Sequence, residues 1–115
     1  MESDPGDPFL RYALAIEYIG IQNVDGARKL FEELLESNPD YSATYYHLGK
    51  LYQKEGNTDR AEEIYRQGIQ LTQRKREQHQ LAELQTALNN MLYEDWWVSH
   101  LNVWTRILRS ISGKS

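Results

Sequence analysis

Apolar side chains recur along this chain at spacings of three and four, the stripe of an amphipathic helix, with no run alternating in the manner of a strand. Leu14, Ala15 and Tyr18 fall on one such stripe, and Leu48, Gly49 and Tyr52 on another. Facing stripes follow at Ala27, Leu30, Phe31 and Leu34, and at Ala61, Ile64, Tyr65 and Gly68. Between the stripes lie polar breakers, Gln22-Asn23 and Gly56-Asn57-Thr58. The pattern predicts two helical hairpins. Asn23 and Asn57 are placed to cap the second helix of each, by accepting from its free backbone N–H groups. Asp7-Pro8 has the composition of a helix start, with Asp as cap and Pro at the first helical position. Asn38-Pro39-Asp40 is expected to end the first hairpin and cap the next helix.

The two hairpins are copies of one another at an offset of 34 residues. Six positions are identical: Tyr12/Tyr46, Leu14/Leu48, Tyr18/Tyr52, Asn23/Asn57, Asp25/Asp59 and Ala27/Ala61. Ala15/Gly49, Leu30/Ile64, Phe31/Tyr65 and Leu35/Ile69 keep size and character. The small residues are expected where helices cross closely, and the large rings where units interlock. This repeat resembles the tetratricopeptide family. The second copy carries the pattern through Tyr45, Leu48, Gly49, Tyr52, Ala61, Tyr65 and Gly68, with Gln73 where the family has Pro. The first carries Leu14, Ala15, Tyr18, Ala27, Phe31 and Pro39, with Arg11 in place of a large residue and Leu34 in place of a small one. The resemblance spans about residues 8–75 and implies an all-α helical-hairpin repeat array, an α-solenoid, with repeats at 8–40 and 41–75 after an N-terminal turn at 1–7.

Beyond the repeats, Leu81, Leu84, Leu88 and Met91 predict a fifth helix over 76–92. The resemblance implies that it caps the open end of the stack. Trp97, Leu101, Trp104, Leu108 and Ile111, spaced 4, 3, 4 and 3, predict a separate amphipathic helix over 95–111, with Asp95 as cap and Gly113 beyond its end. A parallel row runs through Trp96, His100, Val103 and Ile107. Burying that face is worth on the order of 10 kcal/mol before costs. It can pack on its own repeats as half of a degenerate third unit, on a second chain to give a homodimer, on another protein, or on an anionic membrane. The membrane is disfavoured because bases are few and the remainder is acidic.

Composition separates the same two regions. Of 115 residues, 40% are hydrophobic and 26% charged, within the range of soluble globular proteins. Residues 1–95 carry ten bases and seventeen acids, net −7. The last twenty carry Arg106, Arg109 and Lys114 and no acid, together with all three tryptophans. The overall charge of −4 argues against nucleic acid as partner. The acidic, turn-rich start is not a secretory signal, and no window of 18 apolar residues exists. With no cysteine in the sequence, the expected compartment is the cytoplasm.

The resemblance implies a concave groove lined by the first helices of successive hairpins, which holds a protein or peptide partner. The groove residues it implies are Phe9, Tyr12, Ile16, Ile19 and Gly20, then Ala43, Tyr46, Lys50, Gln53 and Lys54, with Gln80, Leu84 and Leu88 from the fifth helix. The family subgroup that grips a terminal carboxylate uses Lys and Asn where this chain has Tyr12 and Ile16, so that clamp is not expected. Trp96, Trp97, Leu101, Trp104 and Leu108 form the second candidate surface. No catalytic constellation, cofactor motif or metal site is expected. His47, His79 and His100 lack ligand spacing, and the acidic pairs on the second helices read as solvated faces.

Overall fold

The computed structural model describes residues 6–112, which form five helices and no strand. Lys114 and Gly113, and most of the expected N-terminal turn at 1–7, lie outside the described residues. Helix α1 runs Pro8–Gly20, α2 Val24–Ser37, α3 Ala43–Lys54, α4 Thr58–Lys75 and α5 Gln78–Ser112. Helix α1 packs on α2 and α3 on α4, which are the two hairpins. Helix α2 also packs on α3, and α5 covers α4 and α3.

The capping chemistry sets most of the helix starts. The Asp7 side chain accepts from the Phe9 N–H at 2.9 Å, Asn23 from Gly26 at 3.0 Å and Asn57 from Arg60 at 3.2 Å. Helix α3 starts differently from the expectation. Its N-cap is Ser42, which makes no side-chain cap bond, and Asp40 lies outside the helix. The Ser42 hydroxyl is turned instead toward the end of the second hairpin, where it donates to Glu77. The Lys75 ammonium donates to the Asp40 carbonyl at 2.8 Å across the same junction. The polar segment after residue 72 continues α4 to Lys75, and the chain then turns through Arg76, held in the left-handed region.

Large rings seated on small residues build the core. Phe31, Leu34, Leu48, Ile64 and Tyr65 are fully buried, each worth about 1.5–3 kcal/mol of transfer free energy. A Cβ on Gly49 would meet the Tyr65 ring, and one on Gly68 would meet the Cβ of Tyr45. Leu14 departs from its copy: it is exposed, whereas Leu48 is buried. Helix α2 covers α3, but no described helix precedes α1 to cover Leu14. Arg11, which stands where the family has a large residue, donates to the Ser37 hydroxyl at 2.9 Å and ties α1 to the end of α2.

The two helices expected at 76–92 and 95–111 are a single helix. Tyr93-Glu94-Asp95 contains neither Gly nor Pro, so nothing stops the backbone ladder and Asp95 lies inside the helix rather than capping it. Leu84, Ala87, Leu88 and Met91 are buried against the repeats, and no residue from Tyr93 to Ser112 is buried. At 1.5 Å per residue α5 is about 52 Å long. Its second half projects beyond the repeats and draws the molecule out to 77 × 32 × 19 Å. Packing of the tail on its own repeats is therefore not what this structure shows.

Candidate functional site

The concave face is made by α1, α3 and the first turns of α5. Tyr12, Tyr46, His47 and Leu84, with Ser42, His79, Gln80 and Glu83, line a cleft of about 200 Å³. It continues into a shallower cleft of about 340 Å³ lined by Tyr46, Lys50, Glu83, Thr86 and Asn90, among others. Tyr46, His79 and Glu83 border both.

His47 organises this surface. Its ring lies parallel to Phe31 at 5.8 Å, with Tyr46 edge-on at 5.4 Å and Tyr12 at 5.5 Å. A hydrogen bond of 3.1 Å joins Tyr12 Oη to His47 Nε2. Burial pulls the His47 pKa below its ordinary value, with the Glu83 carboxylate opposing, so the ring is neutral at pH 7. Tyr12 is also held against Phe31 and Tyr41, with ring centroids at 6.3 and 5.9 Å. Both tyrosines are half-buried, packed against the core and lining the cleft.

Charge sits around this aromatic floor. The Lys50 ammonium lies 5.5 Å from the centre of the Tyr46 ring. On the opposite wall His79 Nε2 meets Glu83 at 2.7 Å. A segment laid in the cleft would meet an apolar centre, a cation on one side and a carboxylate on the other.

Not every residue expected in the groove faces it freely. Tyr12, Tyr46, Lys50 and Leu84 line the cleft, but Leu84 is 1% exposed and belongs to its floor. Gln53 is half-buried and accepts from the Tyr65 hydroxyl at 3.0 Å. Ile16 packs on the core from its edge, and Phe9 stands exposed outside the cleft. His47 and Glu83 were not among the expected groove residues. The repeat offset pairs His47 with Ala13, so the internal comparison carried no signal for it.

A second concavity, of about 670 Å³, lies on the second-helix side between Arg28, Glu32, Glu33, Glu36 and Arg60. Three of its charges, Arg28, Glu32 and Arg60, are matched by pairs. Arg28 pairs with Glu55 and Asp25, Arg60 with Glu32 at 3.4 Å and Glu63 at 3.0 Å, and the Tyr52 hydroxyl donates to Glu32. Among the described residues no cluster of three His, Asp or Glu could hold a metal ion. No described helix is long and apolar enough to cross a membrane.

The five helices, the copy at 34 residues and the concave aromatic cleft define a helical-hairpin repeat protein. The chain belongs to the tetratricopeptide repeat family, whose model matches residues 18–88. Members of this family generally serve as scaffolds for protein–protein interaction, and their fold is typically non-catalytic. The chain is similar to a tetratricopeptide repeat domain protein from Salinibacter ruber solved in solution, at 49% identity and TM-score 0.74, over 77% of this chain and 90% of that one. A crystal structure of a tetratricopeptide repeat domain protein from the same organism matches at 49% identity and TM-score 0.72, over 74% and 94%. Protein BPP2914 from Bordetella parapertussis is similar at 27% identity and TM-score 0.72, over 84% and 83%. Among curated proteins none matches the chain.

Proposed function

We propose that this chain is a non-catalytic adaptor that binds a short segment of another protein in the concave cleft. The observation that carries the reading is the pair of half-buried tyrosines, Tyr12 and Tyr46, each packed edge-on against His47. Rigid amphipathic rings give contact area at low entropic cost, which is why aromatic anchors dominate recognition surfaces. The segment that fits is extended or helical, with an apolar or aromatic anchor over the His47 ring. An acidic side chain within reach of Lys50 completes the match. Two repeats and a capping helix make a short groove, so affinity is about micromolar.

The test is a selection with a displayed library of random peptides against the full chain. Winners should share an apolar anchor beside an acidic residue, and should be lost on the doubly substituted Tyr46→Ala/Lys50→Glu chain. Winners indifferent to that change but lost on Arg60→Glu would move binding to the opposite face and refute the reading.

A further inference from the structure

The two clefts of the concave face lie along one groove, and the residues that border them give it an order. Tyr12 and His47 line only the narrower cleft of about 200 Å³, and Lys50 lines only the shallower one of about 340 Å³. Tyr46 and Glu83 border both, so they stand where the clefts join. Lys50 follows Tyr46 by one turn of α3, about 6 Å further along. The groove therefore presents an aromatic pocket, then a carboxylate, then an ammonium. Histidines aside, Glu83 and Lys50 are the only acid and the only base among the described residues that line it. Both are exposed. Lys50 forms no ion pair among the described residues. Its ammonium rests 5.5 Å from the centre of the Tyr46 ring, with donors to spare. Glu83 meets His79 at Oε1, at 2.7 Å, and its Oε2 has no partner among the described residues.

We infer that the groove reads a segment of mixed charge in one order: an apolar anchor in the Tyr12–His47 pocket, then a basic residue at Glu83, then an acidic residue at Lys50. This rests on the adaptor reading and adds to it the basic residue and its place between anchor and acid. Charge complementarity selects that order. A wholly acidic segment gains at Lys50 and loses at Glu83. A wholly basic one does the reverse, and an uncharged one gains at neither. A segment with base and acid exchanged brings like charges together at both places, which is rejection by repulsion. At about 3.3 Å per residue, the two charged residues fall within about three positions of each other in an extended segment. Glu83 is thereby a specificity-determining residue of the groove.

Peptides selected from a displayed random library on the full chain test it. Winners should carry a basic residue between the apolar anchor and the acidic one. A synthetic winner with base and acid exchanged should bind the full chain about tenfold more weakly, as two exposed charge contacts turn from attraction to repulsion. That difference should shrink as salt is raised. The exchanged peptide should recover its binding on the doubly substituted Lys50→Glu/Glu83→Lys chain, which keeps its fold because both side chains are exposed. Winners that are lost on Tyr46→Ala but bind the charge-exchanged chain unchanged, or that hold no basic residue, overturn the inference and leave the adaptor reading standing. Winners lost instead on Arg60→Glu overturn both.

Discussion

The space that a side chain on Gly49 would need is taken by the ring of Tyr65: a Cβ there would run into Cε1, Cδ1 and Cζ. Tyr65 is fully buried and its hydroxyl is bonded to Gln53, so the ring has no room to yield. Replacing Gly49 by Ala gains about 1 kcal/mol of helix propensity but forces an overpacking cost of about 2–3 kcal/mol. The expected result is a net loss of about 1–2 kcal/mol in chemical denaturation. Gly20→Ala, where a Cβ meets nothing within 4 Å, is the control and should leave stability unchanged or slightly raised.

The turn of each hairpin passes through the left-handed region at equivalent places, Gln22 at φ 64° and Gly56 at φ 84°. Glycine takes that conformation freely, while a residue with a Cβ bears a cost of about 1–2 kcal/mol. Gln22 is exposed, so little packing is at stake. Gln22→Gly should raise stability by about 1 kcal/mol once the added freedom of the unfolded chain is offset. A shift in the thermal midpoint measures it.

Thr44 is completely buried, and its hydroxyl makes no hydrogen bond. A buried orphan hydroxyl costs about 1–3 kcal/mol. Thr44→Val keeps the shape and removes the group, so the guanidinium midpoint should rise, by about 1 kcal/mol in stability.

His47 ties the cleft to pH. Its pKa is lowered in the folded chain, mainly by burial among Phe31, Tyr12 and Tyr46, against the opposing charge of Glu83. The unfolded chain takes up this proton near pH 6.5, before the folded chain does. The contribution is thus fully present above that pH and is lost as pH falls through the folded value. Stability should decline between pH 7 and 5, and His47→Gln should flatten that decline. Equal slopes in the two chains, measured by denaturant midpoint against pH, would argue that His47 stays accessible to protons.

Sequence alone carried much of this architecture. The offset of 34 residues and the three side-chain caps at Asp7, Asn23 and Asn57 follow from local spacing and backbone hydrogen bonding, which short-range pattern reports well. The long α5 did not follow, because the two halves of its hydrophobic pattern are out of phase. A change of phase resembles a break between helices, yet the backbone ladder runs on through Tyr93-Glu94-Asp95, which holds no Gly or Pro to favour a stop. The cleft was legible where ring-bearing positions repeat, at Tyr12 and Tyr46. The bond between Gln53 and the Tyr65 hydroxyl left no mark in local spacing, because its two ends come from different helices. His47 went unseen because its neighbours Phe31, Tyr12 and Tyr46 are brought together only when the hairpins stack.

Nuclear magnetic resonance titration of the full chain with a peptide from the library selection tests the adaptor reading most directly. The account predicts the largest shift changes at Tyr12, Tyr46, His47 and Lys50, with Arg28, Glu32 and Arg60 unmoved. Perturbations centred on the Arg28–Arg60 face, with the tyrosine and histidine signals still, would contradict it.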